Sequence, residues 1–301
     1  MQLGIVGAGK MGMQIARRLL ARGVDVHGHD ASSQARDALR EAGIAAAGSL
    51  GDLAARLSAP RVVWVMVPAG GPTEGVVAEL LGLLAAGDIV VDGGNSHFKD
   101  TIRRAGEAEG RGIGYLDCGT SGGIHGERDG FCLMVGGNQQ VVCTVESIFR
   151  LLAQDGGYLH VGPSGSGHYT KMIHNAIEYA LMESYGEGFE LLAAREDFQI
   201  DLEKVARLWG RGSVIRSWLL ELAADALARD RGLAGVRGYV ADTGEGRWAA
   251  LEAIEAGVPI PAIQVALMQR QRSRQENPLS AKLVAALRRE FGGHEIKSSI
   301  Q

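Results

Sequence analysis

The turn Gly7-Ala8-Gly9-Lys10-Met11-Gly12 constrains this chain more than any other stretch. It directly follows the apolar run of residues 3–6 and opens a helix-patterned segment over residues 12–21. In such a place the first glycine makes a tight turn, the second admits a pyrophosphate close to the backbone, and the third lets helix pack on strand. The helix N-terminus adds amide donors and the positive end of the peptide dipole. In a chain with 44 glycines the G-x-G-x-x-G spacing alone is a weak signal, so its surroundings decide. Short β-branched runs recur at residues 3–6, 24–28, 62–67, 89–92, 114–117, 132–135 and 158–161. Helical stretches such as 34–42 separate several of them. This alternation predicts an α/β, Rossmann-type, doubly wound parallel sheet.

The pattern changes at Gly162-Pro163-Ser164-Gly165-Ser166-Gly167, a turn-rich junction. Beyond it the reading is all-α: one long helix over 168–195, then further helices to about residue 291, broken at Pro259, Pro261 and Pro278. The expected domains are therefore 1–165, a dinucleotide-binding unit, and 166–301, a helical substrate and dimerisation unit. The last residues, 294–301, read as a tail.

A net charge of −4 supplies no overall basic field for nucleic acid or an anionic membrane. No run of 18 apolar residues predicts a membrane span. Cys118, Cys132 and Cys143 form no C-x-x-C pair and are read as reduced thiols of a cytoplasmic protein, with no metal site.

Asp30 stands 18 residues after Gly12, at the end of the second candidate strand. A carboxylate there accepts hydrogen bonds from the ribose hydroxyls of NAD and repels the 2′-phosphate of NADP. NAD is the expected cofactor. The alternative for Asp30 is a turn or helix-capping residue.

On the long helix, Lys171, His174, Asn175, Glu178 and Tyr179 stand at i, i+3, i+4, i+7 and i+8, which puts all five on one face. That face is ordinarily apolar, yet here Met172, Ile173, Ala176 and Ile177 cover the other sides. A pocket lining accounts for His, Asn and Tyr better than a solvated Lys–Glu stripe does. Oxidation of a carbinol carbon needs a base for the hydroxyl proton, and a lysine of lowered pKa serves. If the substrate is a 3-hydroxy acid, the product is a β-keto acid. Loss of carbon dioxide from it leaves an enediol whose carbon must be protonated, a task for a protonated Glu178.

The segment Lys171-Met172-Ile173-His174-Asn175-Ala176-Ile177-Glu178-Tyr179 closely resembles the K-M-V-H-N-G-I-E-Y signature of 6-phosphogluconate dehydrogenases. Asp92-Gly93-Gly94-Asn95-Ser96, with Lys99-Asp100-Thr101 after it, resembles a second family motif. Ser121-Gly122-Gly123, followed by Gly126 and Leu133-Met134-Val135-Gly136-Gly137, is similar to the family's substrate loop. The resemblance runs to about His294. It implies oxidative decarboxylation of 6-phospho-D-gluconate to ribulose 5-phosphate and CO2 with reduction of NAD. It implies Lys171 as general base and Glu178 as general acid, with Asn175 and His174 in the catalytic set. It implies substrate contacts at Asn95, Ser121, Gly122, Gly123, His174, Asn175 and Tyr179. Gly7, Ala8, Gly9, Lys10, Met11, Gly12 and Asp30 would hold the cofactor, together with Val67, Pro68, Ala69 and Asn95.

The family also binds the substrate phosphate with arginines. Arg270 is the nearest match, with Arg272 and Arg274 as rivals. Arg288 and His294 keep the spacing of the family's C-terminal R-D-Y-F-G-A-H, which implies a homodimer or homotetramer whose tail completes the neighbour's site. The alternative there is a basic helix end favoured by the dipole. Two departures stand out. The chain matches the family's short members, which lack an enlarged helical domain. Where long members have K-G-T-G-K-W, this chain has Asp242-Thr243-Gly244-Glu245-Gly246-Arg247-Trp248, so Thr243 replaces a phosphate-contacting lysine.

The nearest rival is a β-hydroxyacid dehydrogenase of the 3-hydroxyisobutyrate type. It shares the sheet, an S-G-G loop and the lysine, but has K-x-x-N-N on the helix and no use for Glu178. A non-catalytic NAD-binding sensor or scaffold would keep Gly7, Gly9, Gly12 and Asp30 without needing Lys171, Asn175 and Glu178 in register.

Overall fold

A computed structural model describes residues 2–297 of the chain, so the expected tail is described only in part, and 298–301 lie outside the described residues. The chain divides into two compact units, Met1–His174 and Asn175–Gln301.

The first unit holds eight strands: β1 (Gln2–Val6), β2 (Asp25–His29), β3 (Ala45–Ala46), β4 (Val62–Val65), β5 (Ile89–Asp92), β6 (Gly114–Ser121), β7 (Phe131–Gly137) and β8 (Ala153–Gly162). They form one sheet in the order β3-β2-β1-β4-β5-β6-β7-β8. Its helices are α1 (Lys10–Ala21), α2 (Ser33–Glu41), α3 (Leu50–Arg56), α4 (Gly71–Leu83), α5 (Phe98–Glu109), the single turn α6 (Gly126–Asp129), α7 (Gln139–Leu152) and the start of α8 (Ser166–Ala193). The division between the units falls inside α8.

The central strands β4 and β5 are buried on both faces because both faces of the sheet are covered there. On β4, Val62 and Trp64 join a core with Ile5, Leu19, Val91, Leu116 and Phe149, while Val63 and Val65 face a second core with Val6, Leu53, Leu80 and Val90. Pairing is parallel throughout except at β6–β7, where Leu116 opposes Gly137 and Ser121 opposes Cys132 in antiparallel register. The expectation of a fully parallel sheet is corrected there. Only nine residues join β6 to β7, too few for a parallel crossover. Cys118 is buried, Cys132 and Cys143 are exposed, and all three are free thiols.

The sheet is also held from the α4–α5 side. Glu74 on α4 accepts from Arg103 and Arg104 of α5, the latter at 2.9 Å. The Arg103 hydrogen bond, joined by Arg104, pulls the Glu74 carboxyl from its ordinary 4.5 to about 2. A depressed folded pKa means that the stabilisation is complete above pH 4.5 and is lost as pH falls towards 2. Glu74→Gln is therefore expected to flatten the fall of the urea midpoint between these two pH values. An unchanged slope would remove Glu74 from the acid response.

The second unit is helical: the rest of α8, then α9 (Leu202–Trp209), α10 (Trp218–Arg229), α11 (Glu245–Ala256), α12 (Pro261–Arg272) and α13 (Leu279–Gly292). Caps fall where side chains supply them. Asp201 accepts from Lys204 N–H at the head of α9, and Ser217 from Leu220 N–H at the head of α10. Pro261 opens α12 and Pro278 precedes α13, positions where proline's missing N–H costs nothing. A small core of Ala206, Leu220 and Ala224 packs with Tyr185, Phe189 and Trp209. Among the described residues, no helix is long and apolar enough to cross a membrane.

Candidate active site

Strand order reverses between β1 and β4, and ligand crevices of doubly wound sheets open beside such switch points, at the carboxyl ends of the strands. The glycine turn leaves β1 there. Gly7 has φ 96°, and a Cβ on it would lie 2.3 Å from Met66 O, so only glycine fits. A Cβ on Gly12 would lie 1.9 Å from Gly7 O. Gly9 has nothing within 4 Å of its missing Cβ, and it caps α1 without a side-chain bond. The backbone there is open, and the first-turn amides of α1 face outward from the ladder, as an anion site requires. Lys10 is exposed and Ala8 and Met11 are half-buried beside it.

Asp30 follows β2. Its Oδ2 accepts from Ala8 N–H at 2.8 Å and its Oδ1 from Ser32 N–H at 2.8 Å. Asp30 thus orders the glycine turn and the start of α2, while Ser32, not Asp30, caps α2. A carboxylate has about four acceptor positions, so these two bonds leave capacity for ribose hydroxyls. Val67-Pro68-Ala69 follows β4. Pro68 O accepts from Thr73 Oγ1 at 2.8 Å, and a Cβ on Gly94 would lie 2.9 Å from Val67 O. That close approach brings the Asp92–Ser96 turn beside the β4 loop. Buried Asp92 accepts from Gly94 N–H, Ser96 Oγ and Tyr115 OH, and this network holds exposed Asn95 at the end of β5.

Three glycines let α8 come down on the sheet. A Cβ at Gly119 on β6 would lie 2.4 Å from Lys171 Cβ. Cβ atoms at Gly136 and Gly167 would lie 2.6 Å from Asp117 Oδ1 and 2.5 Å from Met134 O. Asp117, fully buried on β6, accepts from Gly165 N–H and His168 N–H at 2.8 Å each, and so caps α8 from outside its own chain segment. Thr101 bonds His168 Nδ1 at 2.7 Å. The result is a seated Lys171, 8% exposed, whose Nζ lies 3.4 Å from His174 Nδ1. His174 Nε2 lies 3.3 Å from Ser121 Oγ. Gly122 and Gly123 follow with φ 135° and 52°, backbone that favours glycine. The structure therefore brings Lys171, His174 and the Ser121–Gly123 loop together within the first unit.

Further along α8, in the second unit, Asn175 Nδ2 donates to Glu245 Oε1 at 3.3 Å. Glu245 is buried and also accepts from the Thr243 hydroxyl. The sequence singled out neither as a partner of Asn175. The only signal was the altered motif at 242–248, whose fold had to be known to give it meaning. Tyr179 is buried and its hydroxyl has no hydrogen-bond partner among the described residues. The Arg270 guanidinium lies 3.5 Å over its ring, and a Cβ at Gly246 would lie 2.6 Å from Tyr179 Cε2. Of the three rival arginines, Arg270 is the one stacked on Tyr179. Arg274 pairs with buried Asp242 at 3.6 Å, and Arg272 is exposed. Glu178 is half-buried on the same face of α8. Arg288 lies on α13 and His294 just past its end, both exposed. Among the described residues, no hydrogen bond or ion pair joins either to Tyr179 or Arg270.

Residues 2–162 match the family model described as the NAD binding domain of 6-phosphogluconate dehydrogenase, and residues 167–282 match that enzyme's C-terminal domain. A Haloferax volcanii protein named 6-phosphogluconate dehydrogenase, NAD(+)-dependent, decarboxylating is 46% identical over 299 residues, 98% of each chain. The solved structure of Plasmodium falciparum 6-phosphogluconate dehydrogenase superposes with a TM-score of 0.84 at 26% identity, covering all of this chain and 67% of that one. The fold alone is shared with Mycobacterium tuberculosis 3-hydroxyisobutyrate dehydrogenase, with a TM-score of 0.72 at 21% identity over 88% of this chain and 90% of that one.

Proposed function

The chain belongs to the 6-phosphogluconate dehydrogenase family, and we propose that it oxidises 6-phosphogluconate with NAD and decarboxylates the product to ribulose 5-phosphate. The observation that carries this reading is the placement of Lys171 and Glu178 two turns apart on one face of α8, with Lys171 buried against His174. Oxidation alone needs the lysine. Only a reaction that leaves a carbanion-like carbon needs the second, acidic group, and this separates the reading from the 3-hydroxyisobutyrate type.

The glycine turn and Asp30 fit NAD: Gly9 is open, Gly7 and Gly12 exclude a Cβ, and α1 has uncommitted first-turn donors. Bound there, NAD supplies the hydride acceptor. Lys171 takes the proton of the substrate's C3 hydroxyl as the carbinol becomes a ketone. His174 and Ser121 fix the lysine's position and contact the substrate. The β-keto acid then loses carbon dioxide. Glu178 gives its proton to C1 of the enediol, while Asn175, held by Glu245, orients the sugar acid. The unpartnered Tyr179 hydroxyl and the Arg270 guanidinium above its ring suit the substrate phosphate.

The test is the initial rate of NADH formation from NAD and 6-phosphogluconate. A clear rate that is absent with 3-hydroxyisobutyrate supports the reading; the reverse selects the rival. Asp30→Ser combined with Ala31→Arg is expected to lower the NAD-over-NADP ratio of kcat/KM by at least about tenfold, because a ribose acceptor is exchanged for a phosphate donor. An unchanged ratio would take cofactor choice away from Asp30.

A homo-oligomer is supported by α13. None of its residues is buried, yet Leu279, Leu283, Val284, Leu287 and Phe291 form an apolar stripe along it, each more than half exposed. A second copy would cover such a stripe. Deleting 288–301 is expected to raise KM for the phosphorylated substrate at least about tenfold, the cost of one charge-assisted phosphate contact. An unchanged KM would exclude the tail from any site.

A further inference from the structure

At the far end of α1 from the glycine turn, about 15 Å along the axis from Gly12 to Arg22, the first unit carries a cavity that the dehydrogenase reaction does not use. Its volume is about 510 Å3 and it is lined by Arg17, Arg18 and Arg22 of α1 and by Ile124, Glu127 and Arg128. We propose that it is a binding site for a small polyanion, of the class of organic or inorganic di- and polyphosphates.

The charge balance is the first reason. Four guanidinium groups line the cavity against the single carboxylate of Glu127. Arg128 is neutralised by Asp129 at 2.7 Å, and Glu127 lies 4.0 Å from Arg17. Arg22 has no ion-pair partner among the described residues, and its side chain is exposed at the cavity. This local positive excess occurs in a chain of net charge −4. Burial, with a smaller push from the neighbouring Arg22, lowers the pKa of Arg18.

The second reason is rigidity. Arg18 is buried and spends its donors on backbone: Leu151 O at 3.2 Å, Glu127 O at 3.0 Å, Arg128 O at 3.3 Å and Ala153 O at 3.2 Å. It fixes the floor of the cavity and leaves Arg17 and Arg22 as the movable forks, with Arg128 held by Asp129 on the wall. Guanidinium forks bind phosphate oxygens in pairs, and the volume suits a small metabolite. The wall formed by Ile124, Glu127 and Arg128 begins immediately after Ser121-Gly122-Gly123, so an anion held here would brace the segment that follows that loop.

Calorimetric titration with inorganic pyrophosphate tests this, with NAD at saturation to occupy the glycine turn and 6-phosphogluconate added in a parallel run. Binding is expected in both runs. It is expected to weaken at least about tenfold in the R17E/R22E double variant, since two charge-assisted contacts become repulsions. Both side chains are exposed, and unchanged NAD affinity would show that the variant is folded. Hydrogen exchange over residues 122–130 is expected to slow when pyrophosphate binds. The proposal is overturned if the wild-type protein does not bind, if either NAD or 6-phosphogluconate abolishes binding, if the double variant binds as well as the wild type, or if exchange over 122–130 is unaltered. Binding is read without turnover, so an inactive enzyme would overturn the proposed reaction and leave this site standing.

Discussion

Lys171→Met lowers kcat by about 10²- to 10⁴-fold, the usual contribution of a positioned general base, with NAD affinity and thermal midpoint unchanged. Methionine keeps the length of the lysine stem, so the contact with Gly119 and the seat of α8 on β6 survive. What is lost is the nitrogen beside His174. The measurement is single-turnover NADH formation, which separates chemistry from product release. A variant within tenfold of the wild type would show that the proton goes elsewhere.

Asp117→Ala is expected to be the most damaging change outside the reacting groups. The carboxylate is fully buried, and its two 2.8 Å bonds satisfy Gly165 N–H and His168 N–H at the head of α8. Hydrogen bonds to a charged group contribute about 1.5–3 kcal/mol each, and the alanine variant leaves two buried donors without acceptors. A loss of about 3 kcal/mol or more follows, which in a unit of this size lowers Tm by roughly 6–12 °C. Because Lys171 and His174 are on the first turns of the same helix, kcat falls as well, while the KM for NAD is held by the distant glycine turn. Unchanged Tm and kcat together would refute this role. Asp117→Asn discriminates further: its single amide oxygen can accept from only one of the two N–H groups and its NH2 confronts the other, so it recovers only part of the loss.

Much of the architecture was legible along the chain. The runs at 3–6, 62–67 and 89–91 are read as strands because they are almost continuously apolar, which suits a sheet covered on both faces. The expected helix over 168–195 is α8, Ser166–Ala193, with the polar face as read. The two-residue strand Ala45–Ala46 was not legible. Alanine has no strand preference, and only pairing with β2 makes it extended. The second half of β6 and the first half of β8 were missed for a related reason. Cys118–Ser121 and the Gly156-Gly157 region carry turn-like residues, and partner strands impose their conformation.

Local patterning thus sufficed for most elements, the glycine turn, the long helix α8 and the family, because each rests on residues within a few turns of one another. Tertiary structure alone decided what lies opposite that face. Asp117 capping a helix 48 residues away, Gly119 yielding space to Lys171, Glu245 holding Asn175 across 70 residues, and Arg270 rather than Arg272 or Arg274 over Tyr179 are all long-range contacts. Spacing in a sequence fixes direction along an element, but the distance between elements is set by packing, and packing depends on every side chain in the core at once.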